Sequence, residues 1–536
     1  MTVDQLRLAA ELEAQKMRES NPAQYFERSL HQLGFSDPEH SLLQTLKEMI
    51  DNSLDATELG DILPELRLEI EETKDEITLP SQTGRGRKAS IYRVRLEDNG
   101  VGIMPDKISD SIGKLLYGSK LTTLKQSRGQ QGIGISAVVL YSQLTTLRPT
   151  TVISKVSGNQ NARRIVLKID VDKNEPVTVE EGDIPSAHDH GTSIELFLPA
   201  RYSDKVERYL KELSIGNPHM RLALAKRIAG ESSELTLERA TDQMPPMTKE
   251  IKPHLSSIDA GTLYRMAEVD DDCRTLVSFL SKHFATMSGK TARRILQAAK
   301  LPPNLKPKSI KADRILEAAR NMKLRRPKLD VLSYIGEDEL KSSLRNLFPD
   351  AEFIDAVSRP PWSYQGIPFR TEVAVAMGGQ SVTNYDEQRK VTVIRLANKV
   401  PLPYDLSDCE LYRAVSEVDW RNYGLDTGER GIPTDSVIFV TSIVASKVPY
   451  TSPGKFAVAR VAEIHDELTL ALQELGRGMR THIQRKNKEE SVAKRLEYFR
   501  GYYGILAEEV AAITGVQKLD YEGTIEKLFG RTEADA

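Results

Sequence analysis

The strongest constraint on this chain is an ordered trio of short segments near its N-terminal end. Glu48-Met49-Ile50-Asp51-Asn52-Ser53-Leu54-Asp55-Ala56 lies in a helical pattern. Asp98-Asn99-Gly100-Val101-Gly102-Ile103 follows an alternating run, and Gly129-Gln130-Gln131-Gly132-Ile133-Gly134-Ile135-Ser136 opens an apolar stretch. Acid and amide on a helix, Asp-x-Gly-x-Gly after a strand, and a glycine-rich turn together describe a nucleotide pocket in an α/β fold. Taken singly, each also suits an ordinary feature: a solvated helix face, a strand-to-loop turn, a loop. Order and spacing give the trio its force.

At about 100° per residue, Glu48, Asn52 and Asp55 fall within about 60° of one another on a helix. Leu42, Leu43, Leu46, Met49, Ile50 and Leu54 cover its opposite side. A glutamate held there can accept a proton from an attacking water, and the Asn52 amide oxygen suits a hard cation such as Mg²⁺. Ile91 to Glu97 alternates like a half-buried strand, so Asp98 stands at its end, where a carboxylate could accept a hydrogen bond from an exocyclic amine. Gly100 and Gly102 permit torsions or a close approach that a side chain would block. Gly129, Gly132 and Gly134 lead into Ser136-Ala137-Val138-Val139-Leu140-Tyr141, which lets backbone N–H groups and a helix dipole face phosphate oxygens. The segment is neither a Walker loop nor a dinucleotide fingerprint, because the spacing of both is absent. Lys120, after Tyr117-Gly118-Ser119, adds a cation just upstream.

Composition sets the surroundings. A chain of 536 residues is too long for one small core and predicts about three domains. With 39% hydrophobic and 28% charged residues it reads as a globular protein. Cys273 and Cys409 give neither a disulfide framework nor zinc spacing, so a reducing cytoplasm is the expected compartment. No apolar run is long enough to span a membrane, and no signal peptide is expected. The formal charge of −3 argues against a dedicated DNA-binding protein. Any DNA contact is expected through local basic patches: Lys290, Arg293 and Arg294; Lys306, Lys308 and Lys311; Lys323, Arg325, Arg326 and Lys328.

In this order the segments resemble the GHKL ATPases, the superfamily of gyrase B, MutL, the heat-shock chaperone and the histidine kinases. They are more closely similar to the B-subunit family of DNA topoisomerase VI, a type IIB topoisomerase. Carrying that likeness are Asn52-Ser53-Leu54-Asp55-Ala56, Leu116-Tyr117-Gly118-Ser119-Lys120, the run Gln126 to Gly134, and Leu140 to Thr146. His190-Gly191-Thr192-Ser193-Ile194-Glu195-Leu196 and Gly216-Asn217-Pro218-His219 add to it. The family often has a glutamate before the asparagine where Asp51 stands here.

The resemblance implies a multidomain α/β architecture. Its expected parts are an N-terminal strap over 1–20, a GHKL (Bergerat) ATP-binding α/β sandwich over 21–245 and a helix–two-turns–helix domain over 246–327. A transducer over 328–485 and a C-terminal helical extension over 486–536 complete it. It further implies that Glu48 polarises the attacking water, Asn52 ligates Mg²⁺ and Asp98 reads the adenine amine. Asp55, Gly102, Ser119 and Lys120 line the nucleotide, and Gly129, Gln130, Gln131, Gly132, Ile133, Gly134, Ile135 and Ser136 wrap the phosphates as a lid. Thr192 supports the adenine end, and Lys455 reaches the terminal phosphate from the transducer, with Lys447 the nearest rival. The basic DNA-contacting loop expected before Asn217 is reduced to Arg201, Lys205 and Arg208. No catalytic-tyrosine winged helix and no Asp-x-Asp metal fold is recognised. DNA cleavage would therefore fall to a partner A subunit in an A₂B₂ heterotetramer, in which the two ATP-binding chains dimerise on ATP around a DNA duplex. The alternatives are a MutL-like or chaperone-like clamp for other clients, and a meiotic or phage scaffold relative. A packed terminal helix is expected around Leu506, Val510 and Ile513.

Overall fold

Alternation of apolar and charged residues builds the first sheet. In β1 (Glu65–Leu79), Leu66, Leu68 and Ile70 are buried while Glu65 and Arg67 are exposed. In β2 (Arg87–Asp98), Tyr92, Val94 and Leu96 continue the pattern. Six further strands complete the sheet: β3 (Thr150–Lys155), β4 (Ala162–Asp170), β5 (Glu175–Ile184), β6 (Gly191–Ala200), β7 (Arg221–Ile228) and β8 (Glu231–Leu237). Their order is β5-β4-β3-β6-β2-β1-β7-β8, antiparallel throughout except for the parallel β1–β7 pair. This computed structural model describes residues 21–29, 34–79, 86–118, 124–129, 132–186, 188–322, 324–386, 391–404, 406–428, 431–452, 454–515, 521 and 523. The expected strap over 1–20 lies outside the described residues.

Among the helices on the apolar side of this sheet are α1 (Pro38–Leu59), α2 (Gly134–Thr146) and α3 (Asp204–Gly216). Leu46 and Ile50 of α1, Tyr141 of α2 and Leu213 of α3 share one core with Leu68, Val94 and Leu198. The other face of the sheet is polar, with Arg93 paired to Glu195 at 2.6 Å and Arg95 to Glu97 at 3.0 Å. Helix α1 begins where Asp37 accepts the amides of Glu39 and His40 and Pro38 fills the first turn. Of its 22 residues 16 are buried, so the solvated-face alternative for Glu48 does not hold.

Four short helices follow: α4 (Ala260–Val269), α5 (Leu276–His283), α6 (Gly289–Ala298) and α7 (Ala312–Arg320). Asp259, Thr275 and Ser288 cap the first three, and Phe279, Leu280, Ile295, Leu296 and Ile315 form a separate core. Lys290, Arg293, Arg294, Lys306 and Lys311 are exposed here. Lys308 pairs with Asp271, and the Arg326 guanidinium lies 3.6 Å from the centre of the Trp362 ring. Lys323 lies outside the described residues.

After α8 (Glu337–Leu347), a second sheet is built from β9 (Phe353–Ser358), β10 (Trp362–Tyr364), β11 (Ile367–Met377), β12 (Val391–Ala397), β13 (Val400–Pro401) and β14 (Val437–Ala445). Its order is β10-β11-β14-β12-β13, with β9 also on β11 and only β12–β14 parallel. The central strands are apolar on both faces because both are covered. On one face lie α9 (Glu410–Glu417), Trp420 and α10 (Ala462–Thr514), which contributes Leu468, Leu472, Leu475 and Met479. On the other lie Leu340 and Leu344 of α8, together with Ile215 of α3. Ile215 thereby joins the two sheets.

Helix α10 runs unbroken for 53 residues through the boundary expected at 485. Leu506, Val510 and Ile513 are helical but exposed, which corrects the expectation of a packed terminal helix. The helix has left its sheet by then. No helix among the described residues is long and apolar enough to cross a membrane.

Two consequences can be measured. Trp420 is fully buried, its indole N–H donates to the Val415 carbonyl at 2.8 Å, and its ring centre lies 4.6 Å from that of Phe439. Trp420→Ala destabilises the protein by about 3–5 kcal/mol, read as a lowered denaturant midpoint by circular dichroism; a shift below about 1 kcal/mol contradicts this packing. Glu212 on α3 is withdrawn from water beside the second sheet. That pushes its carboxyl up to about 7, against the pull of Arg208 and of the Tyr385 hydroxyl. Its folded pKa is thus raised above the unfolded one, near 4.5. The favourable contribution is complete below that pH and is lost as pH rises through about 7. Glu212→Gln therefore melts progressively higher than the unsubstituted protein as pH is raised from about 4 to about 9; a pH-independent difference contradicts the assignment.

Candidate functional site

Helix α1 supplies one wall of a cavity and the start of α2 supplies the facing wall. Lining it are Gln44, Glu48 and Asn52 from α1, and Gly129, Gly132, Ile133, Gly134, Ile135 and Ser136 at the entry to α2. Gly454 and Lys455 come from beyond the second sheet. The Glu48 carboxylate abuts the helix entry so closely that a Cβ on Gly134 would stand 1.9 Å from its Oε2. A side chain there would displace the Glu48 carboxylate. The turn is completed by Gly132 at φ +63°, in the left-handed region.

Two hydrogen bonds set the chemistry of α1. Gln44, one turn before Glu48, donates from Nε2 to Glu48 Oε1 at 2.9 Å. A neutral donor orients the carboxylate while leaving its negative charge in place for accepting a proton. Asn52 donates from Nδ2 to the Glu48 carbonyl at 2.8 Å, which fixes the amide group at the cavity wall. The same side chain carries an amide oxygen, a ligand type suited to Mg²⁺.

Next to this cavity, three neighbouring strands end together. Asp98 closes β2, Thr192 opens β6 opposite it in register, and Ser154 on β3 stands opposite Thr192. Asp98 Oδ2 accepts the Ser53 hydroxyl at 2.6 Å, and Oδ1 accepts the amides of Gly100 at 2.9 Å and Thr192 at 3.2 Å. Burial pushes the Asp98 carboxyl above its ordinary value, opposed by these hydrogen bonds. The hydroxyls of Thr192 and Ser154 lie 2.9 Å apart, and His190 Nδ1 lies 2.9 Å from the Gly100 carbonyl. Gly102, at φ +75°, approaches the Lys155 carbonyl so closely that a Cβ would stand 2.1 Å from it.

Of the expected residues, Glu48, Asn52, Gly129, Gly132, Gly134, Ile133, Ile135, Ser136 and Lys455 meet at the first cavity. Ser136 gives its hydroxyl to the Lys114 carbonyl at 2.9 Å. Lys455 is buried and donates to the Arg128 carbonyl at 3.3 Å, whereas its rival Lys447 is exposed. Asp98, Gly102 and Thr192 form the strand-end group beside it. Asp55 does not line the first cavity; its carboxylate pairs with Arg128 at 2.9 Å beside a second cavity. Ser119, Lys120, Gln130 and Gln131 lie outside the described residues. Of the reduced basic loop, Arg201 and Lys205 both pair with Glu39, and Arg208 pairs with Asp386 at 3.2 Å.

Sequence reading passed over Gln44, Ser53 and Ser154 and gave no role to Arg128. Gln44 was legible in principle, being one helical turn before Glu48. Ser53 and Ser154 depend on tertiary register and carry no local signal.

Two blocks of the chain match known protein families. Residues 40–192 match the family described as histidine kinase-, DNA gyrase B-, and HSP90-like ATPase, and residues 327–495 match the topoisomerase VI B subunit transducer. The type 2 DNA topoisomerase 6 B subunit of Archaeoglobus fulgidus is 36% identical over 522 residues, covering 96% of this chain and 83% of that protein. The Methanococcoides burtonii protein of the same name is 38% identical, covering 91% of this chain and 76% of its own. That of Metallosphaera sedula is 33% identical, covering 93% and 90%. The chain belongs to the family of type 2 DNA topoisomerase 6 B subunits, with a GHKL-type ATPase fold joined to a transducer.

Proposed function

We propose that this chain is the ATP-hydrolysing gate of a type IIB topoisomerase. In this reading, 21–245 is the ATP domain, 246–327 a helix–two-turns–helix domain and 328–485 the transducer, with 1–20 as strap and 486–536 as extension. The observation that carries it is the meeting, at one cavity, of Glu48 from α1, the glycine entry to α2, and Lys455 from the transducer.

Glu48, oriented by Gln44, accepts a proton from the water that attacks the terminal phosphoryl group. Bond formation from water to phosphorus and loss of the ADP oxygen give ADP and phosphate. Backbone N–H groups at the glycine turn and the α2 dipole favour the anionic phosphates. Asn52 would hold Mg²⁺, which supplies charge neutralisation of the phosphates when bound. Asp98, with Thr192 behind it, accepts the adenine amine, and Gly102 lets the loop after β2 pack against the Lys155 carbonyl beside that site. Ser119, Lys120, Gln130 and Gln131 complete the lining and lid. A lysine carried on a second domain distinguishes triphosphate from diphosphate, so hydrolysis is felt by the transducer.

In the same reading two copies dimerise on ATP, enclose a DNA duplex and pass it through a break made by an A subunit in an A₂B₂ assembly in the cytoplasm. The relatives found favour this over a MutL-like, chaperone-like or scaffold role. The exposed lysines and arginines around α6 offer sequence-independent phosphate contacts.

Purified chain with a cognate A subunit and ATP relaxes supercoiled plasmid, and neither protein does so alone. Glu48→Ala lowers kcat for ATP by about 10²–10⁴-fold and stops relaxation. Gln44→Ala lowers kcat by about 10- to 100-fold through misorientation of Glu48, with nucleotide affinity retained. ATP turnover abolished by Glu48→Ala, but no relaxation with the A subunit, moves the assignment to a clamp with another client.

A further inference from the structure

Beside the nucleotide cavity, the two sheets are joined through a buried cluster of charges that the hydrolysis scheme does not use. Its centre is Glu58, near the end of α1. Glu58 Oε1 accepts Arg128 Nη2 at 2.6 Å and Lys399 Nζ at 2.9 Å, and Lys399 also reaches Oε2 at 3.0 Å. His219 Nε2 stands 3.2 Å from the same carboxylate. Arg128 also bonds Asp55 at 2.9 Å and the Asn217 side-chain oxygen at 2.5 Å. The side chains of Arg128 and Lys399 are each only 2% exposed. Two cations and two carboxylates thus balance with little water.

Lys399 comes from the transducer, at the tight turn between β12 and β13. Asn398 and Lys399 have φ +49° and +69°, the left-handed backbone of a two-residue hairpin loop. The turn is pressed against the ATP domain: a Cβ on Gly216 would stand 2.5 Å from the Lys399 carbonyl, which accepts from Asn217 at 3.0 Å. Asn398 donates to the Ser127 carbonyl at 2.9 Å, and Lys399 Nζ donates to the Ser333 hydroxyl at 2.8 Å. Ser333 in turn exchanges both backbone groups with the Gln126 side chain, at 2.7 and 2.8 Å.

Asn398 directly, and Ser333 through Gln126, meet the ATP domain at Gln126-Ser127-Arg128, the stem that immediately precedes the glycine lid. Lys455, the transducer residue at the nucleotide cavity, holds the same stem through the Arg128 carbonyl. The transducer therefore grips one three-residue segment at several points, and the Arg128 side chain ties that segment to α1.

Resting on the ATP-pocket reading, we propose that the Asn398-Lys399 turn is a latch on the lid stem. Glu58, Arg128 and Lys399 are positioning residues that set where the lid and Lys455 stand relative to the nucleotide. None of the three takes part in the bond changes of hydrolysis. Glu58 is charged in the fold: burial alone would raise its pKa, but Arg128 and Lys399 outweigh burial and hold it well below the usual range. Burial lowers the pKa of Lys399 despite Glu58, and with Lys399 removed Glu58 keeps the Arg128 guanidinium at 2.6 Å, so its charge stays compensated.

The test compares Lys399→Met, Lys399→Arg, Glu58→Gln and the double variant Glu58→Gln/Lys399→Met in the full chain. Lys399→Met lowers kcat for ATP about tenfold, with ADP affinity and melting temperature nearly unchanged. Lys399→Arg recovers most of kcat, and the double variant is no slower than the worse single one. Hydrogen exchange of nucleotide-free protein gives a readout independent of turnover. Lys399→Met speeds exchange in the segment 124–129 about tenfold and leaves β11 and β14 unchanged. Unchanged exchange in that segment overturns the latch even if the chain hydrolyses no ATP. An unchanged kcat, a failure of Lys399→Arg to recover it, or a loss of kcat matched by a general loss of stability also overturns it. Absence of ATP turnover in the unsubstituted chain, with faster stem exchange in Lys399→Met, instead removes the hydrolysis reading and leaves the latch standing.

Discussion

Burial of a charged helix is the constraint on which the rest of this molecule depends. Helix α1 takes Glu39, Lys47, Glu48, Asp51 and part of Glu58 out of water along with its leucines. A buried carboxylate is costly unless hydrogen-bonded or paired: burial pushes the Asp51 carboxyl up to about 7, whereas Glu39, Asp55 and Glu58 draw partners from neighbouring elements. Arg201 and Lys205, beyond β6, serve Glu39. Arg128, before α2, serves Asp55 and Glu58, and Lys399 reaches Glu58 from the second sheet. Glu48 differs in kind, because its hydrogen-bond partner is the neutral amide of Gln44. That difference separates a structural carboxylate from one suited to accept a proton.

Register does for the strand ends what pairing does for the helix. Asp98, Thr192 and Ser154 are cross-strand neighbours on β2, β6 and β3, although they are far apart in sequence. A slip of one residue in either pairing would turn one of them to the opposite face of the sheet. The glycines on each side are part of the same constraint. Gly191, at φ +134°, leaves no room for a Cβ against the Asp98 carbonyl, at 2.2 Å.

The helix pattern around Glu48, the strand before Asp98 and the glycine entry to α2 were legible because their signals are local. Period, capping and glycine torsion act within a few residues. The transducer strands were visible for the same reason, as runs of Val, Ile and Ala. Lys455 was singled out through resemblance rather than through any physical feature of its own neighbourhood. Glu58 and Lys399 could not be read at all, since 341 residues separate them and their pairing exists only once two sheets have docked. Helix α10 shows the converse error. Leu506, Val510 and Ile513 carry a helical apolar period, yet period alone does not supply an opposing surface, and the three are exposed.

The two transducer lysines that meet the ATP domain are held by bonds of unequal strength, and this bears on how such a gate can move. Lys455 donates one hydrogen bond of 3.3 Å to a backbone carbonyl, a contact that a phosphate oxygen can replace with a charged partner. Lys399 has two contacts to a carboxylate and one to a hydroxyl, with its side chain almost wholly enclosed. Separating it from Glu58 would break both contacts to the carboxylate and leave a buried ammonium without them, a larger cost than exchanging the Lys455 bond. On the proposed function, motion of the transducer on the ATP domain therefore begins at Lys455 and turns about Lys399. A gate built this way keeps its two domains attached through the step in which the nucleotide is read. It also makes the stem Gln126-Ser127-Arg128, held by both lysines, the segment through which the lid and the transducer sense each other.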